Sequence, residues 1–575
     1  MRRVMAMVAA LGLVPGVAGA QAAPRATMDD AVAAIAAFGP RALADQGAPG
    51  MSVAITDRTH TIRILTFGYA DVASKAPVTP ETRFPIGSIS KSMTSLALLH
   101  LHDRGLVALD APVRRYLPWW RLGGGDDVRI HQLLSHTGGV PDDYTFDGGW
   151  MYEVAALRSA HVLSKPGTTW SYSNDGYATL GAVIEAVSGH SWQDEVRSLV
   201  FAPNGMTHSS AVFTPENMSD VATGYLFRES DRVALPPHPA LMPAQAIDFV
   251  NPAGSVISTP GDMAAYMRAY LNGGVGANGA RLVSAASFAA MTRADRLNDG
   301  KPAGSAEPVV AEWPAFYRAY GYGLSVFSQN GDRLVGHTGG ISGYTSCMQI
   351  NLTRGFGVVA LSNLVEAPLH PCAIVKYAMA VLRAQQLGEA LPPAPTAPPI
   401  AAPTARAADY AESYHDASGA RVRVVAQDGG AKFVDGAATY ALEPRGDDLF
   451  WTDDPRCSIY YVAFTRDAHK RVDGFTCGAA FFANARYAGP MRFAHPKAWD
   501  ALAGRYETNV WGSPLVMRVV VVKGQLTVDG LEPLVAQHDG SYRLGDSVLR
   551  FDTLAGGKMQ RLMFDGGALY RVELP

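Results

Sequence analysis

The chain has 575 residues, 48% of them hydrophobic and 18% charged, with a formal net charge of -3. That much apolar material excludes a disordered or fibrous protein and suffices for two or three packed domains. No run of Lys and Arg is long enough to track a phosphate backbone, so nucleic acid is excluded as an expected partner.

In chain order, the first predicted element is a leader. Arg2 and Arg3 precede an apolar stretch from Val4 to Val17, and Ala18-Gly19-Ala20 follows as a small-residue cleavage site. This is the pattern of a secretory signal over residues 1–20, so a periplasmic or secreted protein starting near Gln21 is expected. A lipobox cysteine is missing, and no later segment reaches the roughly eighteen unbroken apolar residues of a spanning helix.

Residues 28–388 mix helical and strand patterns and are expected to form one α/β domain, an antiparallel sheet flanked by helices with a helical subdomain. Within it, the stretch from Ser88 to Gly105 spaces Ile89, Met93 and Leu96 as a helix and ends on a glycine suited to a left-handed cap. A second helix is expected after Thr259, with Pro260 at its first position and Asp262 as a capping partner rather than a catalytic acid.

The segment LPPAPTAPPIAAPTA closes residues 389–405 and reads as a stiff linker. Beyond it the text changes to short alternating runs punctuated by Gly and Asp. Tyr414 leads through ARVRVVAQDGGAKFVDG, and Tyr506 leads through LVMRVVVVKGQLTVDG at similar spacing. Two consecutive small antiparallel β-barrels are expected, residues 406–493 and 494–575.

The four cysteines, Cys347, Cys372, Cys457 and Cys477, form no CxxC and no Cys/His group with zinc spacing. One disulfide in each region, Cys347 with Cys372 and Cys457 with Cys477, is open in an oxidising compartment.

Chemistry centres on Ser88 and Lys91. A serine hydroxyl needs an adjacent base, and an amine whose pKa is lowered by burial supplies one. Three residues apart on a helix, the two side chains meet, and the N–H groups at the helix start favour an oxyanion beside Ser88. Taken alone, S-x-x-K is weak, and an ordinary helix start explains it as well.

Two further stretches alter that balance. Tyr172 and Asn174, one residue apart in SYSNDGYATLG, bring a phenol for proton transfer and an amide to one cleft. In LVGHTGGISGY a strand-like run meets His337, Thr338, Gly339 and Gly340, and the glycines allow a substrate backbone close to a strand edge. His136 reads as a turn-fixing histidine, and His100 and His102 have no third ligand. The loop from Pro141 to Glu153 is as readily a solvated loop as a pocket rim.

In this order the motifs resemble the serine β-lactamase and penicillin-binding-protein superfamily. More narrowly the chain is similar to its class C β-lactamase-like group, and in layout to D-aminopeptidases with two C-terminal barrels. FPIGSISKSMTSLALL, IHQLLSHTGGVPD, PGTTWSYSNDGYATLGAVIE and AGSVISTPGDMAAYM extend the likeness over most of residues 45–385.

The resemblance implies an acyl-enzyme on Ser88, with Lys91 and Tyr172 sharing the proton transfers. It places Asn174, His337, Thr338, Gly339 and Gly340 around the substrate, and the backbone N–H groups of Ser88 and Gly340 in an oxyanion hole. No metal or organic cofactor is implied; the partner is a small peptide, amide or ester substrate, and the oligomeric state stays open.

One position departs from the family pattern. His337 stands where lysine is usual, so a permanent charge for a substrate carboxylate is replaced by a group mostly neutral at pH 7. This turns the expectation from β-lactamase or D-alanyl-D-alanine carboxypeptidase toward aminopeptidase or esterase action. A barrel loop such as TNVWGSP, residues 508–514, is a candidate to reach the site. A non-catalytic cell-wall sensor is the competing class, but the nucleophile and its lysine are both retained.

Overall fold

The computed structural model describes residues 25–572 apart from 143–148, 215–217, 219, 229–231, 235, 237–238, 245–249, 295–318, 366–370, 397–405, 511–512, 546 and 565–566. The expected leader lies outside the described residues.

Helix α1 (Met28–Gln46) opens with a reciprocal capping box between Thr27 and Asp30 and closes on Gly47 in the left-handed region. Strands β1 (Gly50–Asp57), β2 (Thr61–Asp71) and β3 (Ala76–Pro77) follow, then helices α2 (Ser90–Asp103), α3 (Asn174–Ser188) and α4 (Pro260–Leu271). The chain returns through β4 (Ser325–Gln329), β5 (Asp332–Ile341), β6 (Tyr344–Asn351) and β7 (Phe356–Ser362), and ends this region with α5 (Cys372–Leu387).

These strands form one seven-stranded sheet in the order β3-β2-β1-β7-β6-β5-β4, and every pairing is antiparallel. Side chains alternate between faces, so each strand feeds two cores. Val53, Ile55, Val358 and Ala360 pack under α1 and α5. Ala54, Val335, Met348, Val359 and Leu361 face the core built with α2, α3 and α4. Both faces are covered, which is why β7 is buried along its whole length and carries no polar alternation.

The expected helix after Thr259 is present. Thr259 accepts from the Asp262 backbone, Pro260 is its first residue, and the Asp262 carboxylate takes His208 N–H and the Ser209 hydroxyl. Asp262 therefore ties a loop to the helix start and lies in a structural role, as expected.

The first barrel is closed, with eight strands from Ser413–His415 to Ala480–Ala483 in chain order around Phe433, Phe450, Phe464 and Phe475. The second unit is a nine-stranded antiparallel sheet curled so far that its two edges, Glu532–Pro533 and Val535–Ala536, are neighbours in sequence. The weak internal repeat has a shared device. Tyr414 donates to the Tyr410 carbonyl and Tyr506 to the Leu502 carbonyl, each four residues back at the end of a one-turn helix.

The segment read as a linker starts by packing: Leu391 joins the core under α5, and the Pro392 carbonyl accepts from the Tyr377 hydroxyl. Its residues 397–405 lie outside the described ones. The units also touch directly. Val233 N–H donates to the Ile459 carbonyl at 2.9 Å, and Lys523 of the second unit sits over the rings of Phe481, Tyr487 and Phe493.

Both cysteine pairs are bonded, Cys347 to Cys372 with Cα atoms 5.2 Å apart and Cys457 to Cys477 at 5.5 Å. The first staples β6 to α5 across 25 residues. Replacing both of its cysteines by serine should lower unfolding stability by about 3 kcal/mol, from the loop entropy released to the unfolded chain. Urea unfolding of the double variant beside the parent measures this.

Candidate active site

Ser88 sits in a 3-10 turn, Gly87–Ile89, and α2 begins just after it at Ser90. The turn is held from two sides: Ser90 Oγ donates to the Gly87 carbonyl, and Ser346 Oγ on β6 donates to the Ile86 carbonyl. The turn approaches β5 so closely that a Cβ on Gly339 would lie 1.9 Å from the Ile86 oxygen. On Gly87, whose φ is +51°, a Cβ would lie 2.7 Å from Gly340 N. At Gly340 a Cβ would meet open space, so the strand edge faces a cleft there.

Lys91, one turn along, is wholly buried. Its Nζ has three oxygens in reach: Ser88 Oγ at 3.1 Å, Asn174 Oδ1 at 2.6 Å and the Ala253 carbonyl at 2.8 Å. The Tyr172 ring lies 4.7 Å from Nζ. Burial drives the Lys91 ammonium well below its ordinary pKa, opposed by the charge of Asp142. A neutral amine matches the three contacts. Asn174 Oδ1 and the Ala253 carbonyl can only accept from Nζ, whereas the Ser88 hydroxyl can accept from an ammonium or donate to the lone pair of a neutral amine.

Tyr172 and Asn174 stand at the entry to α3, whose N-cap is Ser173. His136 organises this entry. Its φ is +57°, its Nδ1 accepts from Ser173 N–H at 3.0 Å, and its ring lies 4.3 Å from that of Tyr172 and 4.7 Å from that of Tyr320. Burial first, then Lys91 and His337, hold this imidazole far below its ordinary pKa, so it is neutral. It fixes a turn, as expected from the sequence, but does so against the catalytic tyrosine candidate.

His337 is fully buried on the β5 face that looks toward α2, and its Nε2 is 2.9 Å from the Tyr320 hydroxyl. Burial and the neighbouring Lys91 push its pKa down to about 3. Thr338 is half-buried at the register position of Cys347. Pairing between β4 and β5 stops at Gly336, so the edge from His337 to Gly340 extends beyond β4.

The structure thus draws Ser88, Lys91, Tyr172, Asn174 and His337 together, with the Gly339-Gly340 backbone against the Gly87–Ile89 turn. Sequence reading missed Asp142, Ala253 and Tyr320. Asp142 Oδ1 accepts from the backbone N–H groups of Asn174 and Asp175, and Oδ2 accepts from Asn174 Nδ2 at 3.0 Å. Burial pushes its carboxyl up from the ordinary range, opposed by the Asp175 N–H, the charge of Lys91, the Ser173 side chain and the Asn174 N–H. The one available signal was its place at the end of IHQLLSHTGGVPD, a phrase already tied to the site. His100 and His102 each bond a backbone carbonyl, and among the described residues no group of His, Cys, Asp and Glu has metal-binding geometry.

A cleft of about 890 Å3 runs beside the site between residues 161–171 and the second barrel unit. Trp170, 6.3 Å from Tyr172 between ring centres, forms part of its wall, and Gln537, His538, Asp539 and Arg543 face it. Of the loop expected to approach, residues 508–514, Trp511 and Gly512 lie outside the described residues.

An S-x-x-K turn under an antiparallel sheet, with Y-x-N opposite, defines the class of serine β-lactamases and penicillin-binding proteins. The Beta-lactamase family model matches residues 26–374, and the chain belongs to that family. Penicillin-binding protein 4 of Amycolatopsis lactamdurans is 30% identical over 292 residues, 49% of this chain and 72% of that protein. The octameric penicillin-binding protein homologue from Pyrococcus abyssi aligns with TM-score 0.53 and 25% identity, over 78% of this chain and 99% of that one. D-amino acid amidase from Ochrobactrum anthropi SV3, complexed with L-phenylalanine amide, aligns with TM-score 0.50 and 25% identity over 62% and 100%.

Two measurements test this geometry. Gly339→Ala should destabilise the fold by more than 2 kcal/mol as an order of magnitude, because backbone must move, whereas Gly340→Ala should stay within about 0.5 kcal/mol; thermal unfolding separates them. His337 is neutral when folded and has a depressed pKa, so it contributes stability that is present above pH 6.5 and lost as pH falls toward 3. His337→Gln should flatten the fall in urea stability over that window.

Proposed function

We propose that the chain is an exported serine hydrolase that cleaves an amide or ester through an acyl-enzyme on Ser88, with D-aminopeptidase-like preference. The observation that carries this reading is the contact of Ser88 Oγ with a fully buried, desolvated Lys91 amine. In acylation Oγ attacks the substrate carbonyl carbon as its proton passes to Lys91 Nζ. The backbone N–H groups of Ser88 and Gly340 receive the oxyanion, and Tyr172 returns a proton to the leaving group. Water then attacks the ester by the reverse route, releasing the acid and restoring the Ser88 hydroxyl.

Asn174 has one Nδ2 proton left for substrate after Asp142 has taken the other. Thr338, Gly339 and the His337 strand edge are assigned to the substrate backbone. His337, held neutral beneath Tyr320, supplies no fixed charge for a carboxylate. This favours substrates without a C-terminal carboxylate over β-lactams and D-alanyl-D-alanine termini. The amidase likeness and the cleft shared with the second barrel unit support selection at the amino-terminal side. Export rests on the leader pattern; among the described residues no helix is long and apolar enough to cross a membrane.

Ser88→Ala and Lys91→Ala should abolish turnover of D-alanine p-nitroanilide, and Tyr172→Phe should slow it on the order of 100-fold with the fold intact. The free amine should be cleaved faster than its N-acetyl form, and benzylpenicillin should acylate slowly; efficient penicillin hydrolysis would favour the β-lactamase reading instead. Because Lys91 acts unprotonated, the rate should be present above its lowered pKa and lost as pH falls through it. An acid limb near the ordinary lysine value in the pH–rate profile would contradict the desolvated base.

A further inference from the structure

We propose that Asp142 is a positioning residue for acylation: its Oδ2 holds the Asn174 amide with the carbonyl oxygen toward Lys91, so that the lysine lone pair is left for the Ser88 proton. The inference rests on the serine-hydrolase reading and adds to it a residue that touches neither substrate nor nucleophile.

The geometry separates this role from helix capping. Asp142 Oδ1 alone accepts both backbone N–H groups, of Asn174 at 2.6 Å and Asp175 at 3.2 Å. The helix has a further cap in Ser173, whose Oγ accepts from Gly176 N–H at 2.9 Å. The bond of Oδ2 to Asn174 Nδ2 reaches a side chain that is no part of the helix cap. A carboxylate oxygen only accepts, so it selects the NH2 side of the amide and turns Oδ1 toward Lys91, where the distance is 2.6 Å. Burying a carboxylate to within 6% of full enclosure is costly. A neutral oxygen at the same place would cap as well.

The amide's direction decides what the amine can do. With two acceptors facing it, the neutral amine spends both N–H bonds on Asn174 Oδ1 and Ala253 O, and its lone pair points at Ser88. With the amide reversed, an N–H donor faces Lys91, the lone pair is claimed by Asn174, and the Ser88 hydroxyl loses its proton acceptor.

The substitution D142N keeps an oxygen for the two backbone donors and replaces Oδ2 by NH2, which opposes Asn174 Nδ2 and turns that amide over. In the full chain, the burst rate with p-nitrophenyl acetate should fall on the order of 100-fold while the thermal midpoint stays near that of the parent. The exchange D142N/N174D returns an acceptor to Lys91 and should recover at least roughly a tenth of the parent rate in the alkaline range, where the added charge beside Lys91 matters least. N174A, which leaves the cap untouched, should lose a similar factor and decides the matter if D142N does not fold.

Mass spectrometry of the parent keeps the two ideas apart. A parent that forms no acetyl adduct on Ser88 overturns the hydrolase reading and this proposal with it. A parent that acylates Ser88 while D142N or N174A acylates within about threefold of it, or while the exchange gives no recovery, overturns the positioning role alone.

Discussion

The rest of the site depends on one constraint: an amine enclosed by protein on every side, with no water to hold its charge. Lys91 is as buried as the aliphatic residues of α2 around it, Met93 and Leu98 among them. Desolvation of an ammonium is costly, so burial moves Lys91 toward its neutral form, against the pull of Asp142. Two carbonyl oxygens accept from Nζ, the Ser88 hydroxyl lies 3.1 Å from it, and two imidazoles remain uncharged.

This enclosure explains the otherwise uneconomical construction around it. His136 and His337 are both buried and neutral, and their rings, with Tyr172, Tyr177 and Tyr320, wall off the lysine. Glycines bring the walls close enough. Gly87 and Gly339 let the turn that carries Ser88 meet β5 at backbone distance, which no side chain would permit. The sheet supplies rigidity from behind, since β5 and β6 pair along eight residues and β6 is stapled to α5.

Family membership places the chain among serine hydrolases of the β-lactamase and penicillin-binding-protein type. Where a lysine would project charge, His337 lies under the Tyr320 hydroxyl. The cleft along Trp170 is lined on its other side by the second barrel unit. The aromatic seat of Lys523 and the Val233–Ile459 bond hold the barrels against each other and against the front region, so that wall is a built feature of the fold.

Much of this was legible in the linear text. The turn of helix between Ser88 and Lys91, the capped helix after Thr259 and the two Tyr-led repeats are short-range patterns, in which neighbours along the chain are neighbours in space. The pairing of cysteines was open because it depends on which segments far apart in sequence the fold brings together. Ser88 was also readable as an N-cap; in the structure it occupies a 3-10 turn ahead of the helix and its hydroxyl meets Lys91.

By itself, then, the sequence determined the reaction-bearing residue types, their order and the local elements that carry them, because helix spacing and turn chemistry act over a few residues. Only the tertiary structure decided that Lys91 is dry, that His337 is covered by Tyr320, and that Asp142 stands behind Asn174. Burial and hydrogen-bond direction are properties of what surrounds a side chain from every side, and much of what surrounds Lys91 is distant along the chain, Asn174 lying 83 and Ala253 162 positions from it.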